Sequence, residues 1–104
     1  MKDFKNNIQL NYLYRDAGNF KLHGATVFSN PEDLPVSEIE KQIKSRLIDG
    51  EFFEPSKWGV APLGFETWND ELDHSWNEYE SIQITSEEPT FNKTIATFLR
   101  DISR

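Results

Sequence analysis

The chain has no cysteine. That removes disulfides, thiol nucleophiles and thiolate metal sites together, and it fits a reducing compartment, so a cytoplasmic location is expected. Long apolar runs are missing too. The most apolar stretch, Val60 to Phe65, is interrupted by Pro62 and Gly64, and nothing approaches the roughly 20 apolar residues needed to span a bilayer. The opening MKDFKNNIQL holds no apolar run of signal-peptide length, so no export signal is read. Basic excess is a third absence. With 18 acidic and 11 basic residues the formal charge is −7. Nucleic-acid binding needs a basic footprint to displace counterions, and an anionic membrane surface attracts basic segments, so neither partner is expected. The acidity serves solubility, docks a basic partner, or imitates nucleic acid as a decoy, and charge alone does not separate these.

Chemical motifs are equally sparse. There is no P-loop, no G-x-G-x-x-G, no helical two-histidine zinc motif, no glycine-bearing calcium loop and no G-x-S-x-G elbow. The two histidines, His23 and His74, would each need a serine and an orienting acid brought together by the fold. The composition favours a non-catalytic protein, and no cofactor or metal is expected.

What is present is one domain's length of chain, residues 1–104, with 37% apolar residues but three tryptophans, three tyrosines and eight phenylalanines. A chain this long buries roughly two-thirds of its unfolded surface. With few aliphatics, its core depends on large rings.

Ile8, Leu10, Tyr12 and Tyr14 alternate with Gln9, Asn11, Leu13 and Arg15, which predicts a half-buried strand. Asp16 to Asn19 supplies turn residues, and Phe20 to Phe28 resumes strand character with Phe20, Leu22, Gly24 and Thr26 on one face. Gly24 reads as a possible bulge, and the pair is a hairpin. A helix is expected over Ser37–Ile48: Ser37 and Glu40 form a capping box, Ile39, Ile43 and Leu47 recur every four residues, and Gly50 supplies the stop. Trp76 to Thr85 alternates as a strand, with Glu78 and Glu80 on the face of Ile82 and Ile84, so the Trp76 end is expected to leave the core. Phe91, Ile95, Phe98, Leu99 and Ile102 form one helical stripe, with a short strand through Thr94 to Leu99 as its rival. A further short strand has room in Trp58 to Thr67. The order β-β-α-irregular-β-α predicts an α+β fold: an antiparallel sheet of three or more strands with two helices packed on one face.

The segment FFEPSKWGVAPLGFETWNDELDHSW, Phe52 to Trp76, holds every tryptophan and five acids against one lysine. Its prolines and glycines break any long period. The rings either close the core or stay exposed as a patch rimmed by acids, which suits a partner interface. The expected division puts Phe53, Phe65 and Trp76 inside and leaves Trp58 and Trp68 partly out. Two polar groupings accompany them. Asp70, Glu71, Asp73 and His74 offer carboxylates beside an imidazole, able to hold a divalent metal or to move a proton, or to solvate a loop. Tyr14, Arg15 and Asp16 flank a glycine turn, where an arginine held by an aspartate receives a carboxylate or phosphate, or simply pairs locally.

YRDAGNFK, SEIEKQIKSRLIDGEFFEP and WNDELDHSWNEYESI together resemble a family of small, uncharacterised bacterial proteins of about this length. The resemblance covers most of Tyr12 to Ile82. It implies a bacterial, cytoplasmic, single-domain protein and brings with it no activity, catalytic residue or cofactor. The reading is therefore a small acidic interaction module without catalysis, whose partner is another protein or a second copy. Its candidate binding residues are Trp58, Trp68, Tyr14, Arg15, Asp16 and His74. The alternative is a small-molecule or divalent-metal binder or enzyme with a site between Tyr14–Asp16 and Asp70–His74, and a weaker one is the nucleic-acid-mimicking decoy.

Overall fold

The computed structural model describes residues 6–15, 18, 20–60, 63 and 76–103. The fold is α+β. Strands β1 (Asn7–Arg15), β2 (Lys21–Phe28), β3 (Phe52–Phe53) and β4 (Asn77–Thr85) form an antiparallel sheet in the order β2-β1-β4-β3. Helices α1 (Val36–Lys44), α2 (Pro55–Trp58) and α3 (Ile95–Ile102) lie between and after them. Four strands meet the expectation of three or more; α2 is an element the sequence reading did not contain. The extra strand is Phe52–Phe53, and the proposed strand site in Trp58 to Thr67 falls mostly outside the described residues.

The alternation in β1 works as expected. Ile8, Leu10, Tyr12 and Tyr14 are buried on an inner face, opposite Phe28, Thr26, Gly24 and Leu22 of β2. The ladder runs unbroken through Gly24, so this glycine is not a bulge. It is a close approach: a Cβ added there would lie 2.8 Å from a methyl carbon of Leu63. Ile8, Leu10 and Tyr12 of β1 join Ile39 and Ile43 of α1, Val60, and Ile95, Phe98, Leu99 and Ile102 of α3 in one hydrophobic cluster.

Helix α1 begins and ends earlier than the sequence suggests. Pro35 is its N-cap, with no side-chain capping bond, so the Ser37–Glu40 box does not form. Glu40 serves the tertiary structure instead, accepting a 2.9 Å hydrogen bond from the Tyr79 hydroxyl. Ser45 ends the helix: its hydroxyl donates to the Gln42 carbonyl at 2.6 Å, and the next amides, of Arg46 and Leu47, bond back three residues rather than four. Gly50 is therefore not the stop. Asp49 and Gly50 both have positive φ, 54° and 72°, and the Glu51 amide donates to the Ile48 carbonyl, so Ile48–Glu51 is the type of turn that Asp-Gly favours in hairpins. It delivers Phe52 and Phe53 to β4.

In α3 the helix prevails over the rival strand. Thr94, where the rival strand would begin, is its N-cap, and its hydroxyl accepts from the Thr97 amide at 3.2 Å. Phe91 precedes the helix but keeps its place in the stripe, packing on Phe28 and Phe98.

Strand β4 departs most from the simple alternation. Asn11 lies opposite Ser81, but Tyr12 lies opposite Tyr79, so Glu80 has no partner position in β1. This is a β-bulge, and it shifts the side-chain parity by one. Ile82 and Ile84 face inward on one side of it; Tyr79 and Asn77 face inward on the other. Trp76 and Glu78 leave the core, as expected of that end, but Asn77 and Tyr79 do not. Asn77, 1% exposed, turns inward and holds the backbone of Leu63 at both ends: the Leu63 amide donates to its Oδ1 at 3.1 Å, and its Nδ2 donates to the Leu63 carbonyl at 3.3 Å. Leu63 is thus fixed between Asn77 and the space left by Gly24. Replacing Asn77→Ala removes both bonds and strands two part-buried backbone groups, for an expected loss of about 2–3 kcal/mol in urea unfolding. Asn77→Asp, which loses the donor and sets a buried carboxylate against the Leu63 carbonyl, should lose at least as much as Asn77→Ala at neutral pH.

Candidate interaction face

Because the bulge turns Asn77 and Tyr79 inward, it turns Trp76 and Glu78 outward. Phe52, opposite Glu78 in the sheet, shares that outer face, as do Leu13 and Arg15 of β1 and His23 of β2. Three kinds of contact meet there. The rings of Phe52 and Trp76 lie 5.7 Å apart at 32°. The Trp76 indole donates to Glu54 at 3.4 Å, yet Trp76 remains 36% exposed. Arg15 donates from Nε to Glu78 Oε2 at 2.8 Å, with its terminal nitrogen 3.5 Å from the other carboxylate oxygen. Across the strands, His23 Nδ1 is 3.6 Å from the carboxylate of Glu80, the bulged residue. Beyond this end the outer face is an amide ladder: Gln9 donates to Asn11, and Asn11 donates to Ser81 and Gln83.

An aromatic pair offers apolar area at little cost in side-chain freedom. A partly exposed arginine–carboxylate pair adds little stability but fixes both side chains in place. Among the described residues, no three histidine, aspartate or glutamate side chains gather as a metal centre. A separate groove of ≈ 380 Å³, lined by Ala25, Thr26, Gly59, Thr90, Phe91 and Asn92, has no ionisable side chain in its wall and hence no acid–base pair.

The sequence-predicted binding residues that the structure describes, Tyr14, Arg15 and Trp58, are dispersed. Tyr14 is fully buried on the inner face, while its neighbour Arg15 points outward, as adjacent strand residues must. Trp58 is half-buried and stacks on Phe53, with ring centroids 4.4 Å apart and planes 16° from parallel, its edge toward Phe98. Asp16, Trp68 and His74, together with Phe65 and the acids Asp70, Glu71 and Asp73, lie outside the described residues. Phe53 is buried as expected, but Trp76 is not: it sits one residue before a strand whose first residue points inward, so it points out. The residues missed were Glu78, Glu80, Phe52 and Leu13. One signal for them was present. Tyr79 and Ile82 are three apart in a strand that otherwise alternates, a one-residue phase jump that marks a bulge.

Immediately behind this face, Tyr79 is held by α1. Burial, then the hydrogen bond to Glu40 and its negative charge, raises the pKa of the phenol well above the ordinary tyrosine value. A tyrosine whose folded pKa is raised contributes stability that is present below the unfolded value, about pH 10, and is lost as pH rises toward the folded one. The native protein should therefore lose stability above about pH 10 more steeply than Tyr79→Phe, as read from urea midpoints across alkaline pH. Parallel pH profiles for the two proteins would contradict this account of Tyr79.

Comparison with protein-family models, with curated proteins and with solved structures gives no match.

Proposed function

We propose that this chain is a small, acidic, non-catalytic protein-interaction module, and that its partner docks on the outer face at the start of β4. The observation that carries the reading is Trp76, 36% exposed and packed on the half-buried Phe52, beside the Arg15–Glu78 ion pair. Exposed aromatics and arginine are the side chains on which binding energy concentrates, provided their surroundings exclude water. The formal charge of −7 favours a partner with a basic rim, which would also speed the encounter. Of the residues expected to bind, Arg15 belongs to this surface. Trp58 supports it from within, since its stacking on Phe53 fixes the two-residue strand that presents Phe52. The proposed setting is the bacterial cytoplasm, on the lack of cysteine and the likeness of the motifs to those of small bacterial proteins.

The test compares native protein with Trp76→Ala and Arg15→Glu as baits in a bacterial lysate, after circular dichroism has confirmed that all three fold alike. A specific, salt-sensitive partner of the native protein should bind at least about tenfold more weakly to Trp76→Ala, the size of a typical hot-spot loss. If both variants retain the same proteins as the native chain, the outer face is not the docking surface.

A further inference from the structure

The two edges of the sheet are treated differently. At the β2 edge, the Thr90 and Phe91 amides donate to the Val27 carbonyl, the Val27 amide donates to the Thr90 hydroxyl, and a parallel bridge joins Ser29 to Thr94. There the chain's own return covers the edge at Val27–Ser29. At the other edge, β3 pairs with β4 only at Asn77 and Glu78, and the Glu51 carbonyl adds one bond to the Tyr79 amide. From Glu80 to Thr85 the outer edge of β4 has no backbone partner among the described residues. Uncovered edges are commonly blunted with lysine, proline or an inward charge. Here the strip Ser81–Ser86, SIQITS, has no charge, no proline and no glycine, and its Ile84 is 54% exposed although it lies opposite the fully buried Ile8. The nearest charges, Glu80 and Glu87, bracket the strip.

We infer that this edge pairs with the same edge of a second copy, antiparallel and centred on Gln83, to make one continuous eight-stranded sheet across a two-fold axis. The inference goes beyond the interaction-module reading: it names a second copy of the chain, on a surface separate from the Trp76 face. The register follows from charge and parity. Opposed residues of an antiparallel pair share a face, so both copies keep their inner faces on one side only if a residue pairs with its own counterpart. Centring on Ile82 would set Glu80 against Ile84. Centring on Ile84 would set Glu80 against Glu88. Centring on Gln83 sets Ile82 against Ile84 on the inner face, and Ser81 against Thr85 and Gln83 against Gln83 on the outer one, with Glu80 opposite Ser86. Every pair is then apolar with apolar or polar with polar, the kind that stabilises a sheet, and the outer amide ladder of Gln9, Asn11 and Gln83 continues across the axis. The same patch meets itself, as a two-fold interface requires. A foreign strand carrying lysines would instead be drawn to Glu80 and Glu87 and would leave the uncharged strip unmatched.

Sedimentation velocity over micromolar to millimolar concentrations tests this on the full chain. Native protein should pass from 12.2 kDa to twice that mass as concentration rises. Ile84→Lys and Gln83→Lys, both at exposed positions of the monomer, should stay monomeric at every concentration with unchanged circular dichroism. Gln83→Glu alone should also stay monomeric, but an equimolar mixture with Gln83→Lys should form a dimer, because only the Gln83-centred register brings those two side chains face to face. Native protein that remains monomeric throughout overturns the inference, and so does a dimer that survives Ile84→Lys and Gln83→Lys. A mixture of the two Gln83 variants that stays monomeric overturns the register. Monomeric native protein that binds an extended lysine-rich peptide along Ser81–Thr85 assigns the edge to a foreign strand and also overturns it. None of these outcomes bears on the Trp76 face, whose lysate experiment fails or succeeds independently.

Discussion

One unpaired residue in β4 sets the layout of the protein. Glu80 has no counterpart in β1, and this single insertion reverses the side-chain parity between the two halves of the strand. In an unbroken strand the isoleucines of one half would share their face with Trp76, Glu78 and Glu80, and two carboxylates would meet the core. With the bulge, Asn77 and Tyr79 go inward and the charged and aromatic residues go outward. Four interactions follow from that step: Asn77 with the Leu63 backbone, Tyr79 with Glu40, Arg15 with Glu78, and Phe52 with Trp76.

The inner consequences build the core. Asn77 is a buried amide whose oxygen and nitrogen are both satisfied by one residue's backbone, which makes it a clamp rather than a cost. The clamped residue, Leu63, needs the missing side chain of Gly24, so a glycine in β2 and an asparagine in β4 are explained by the same leucine between them. On the far side of Tyr79, the Glu40 bond ties α1 to the sheet. The outer consequences build the candidate interface. Among the described residues, the edge of β4 beyond the bulge has no backbone partner, because β3 is only two residues long and pairs no further than Glu78.

The sequence carried much of the fold. The alternation of β1, the Ile39–Ile43 spacing of α1 and the stripe of α3 are period signals strong enough to survive packing. Boundaries carried less. The Ser37–Glu40 pair has the form of a capping box, but a tyrosine far along the chain competes for Glu40, and a local pattern cannot show that. Gly50 has the form of a helix stop, but behind Asp49 its hairpin chemistry is the better signal. The site was least legible. Which face Arg15 and Trp76 occupy depends on β4, and a strict period-2 reading of β4 gives the wrong parity at its beginning. Only the three-residue spacing of Tyr79 and Ile82 betrays the bulge, and it gains meaning once both are known to be inward. Trp58, expected partly out, is half-buried because it stacks on Phe53 at the margin of the core.

If the bulge acts by setting parity, then deleting Glu80 gives a regular strand in which every residue keeps its present face, whereas deleting Gln83 forces Ile82 outward or displaces the whole first half of the strand. Urea unfolding of the two single-residue deletions measures this directly. The account predicts that the Glu80 deletion stays folded within about 1 kcal/mol of the native protein, while the Gln83 deletion loses at least about 2–3 kcal/mol, the burial of one isoleucine. Equal losses from the two deletions, or a Glu80 deletion that fails to fold, would contradict it.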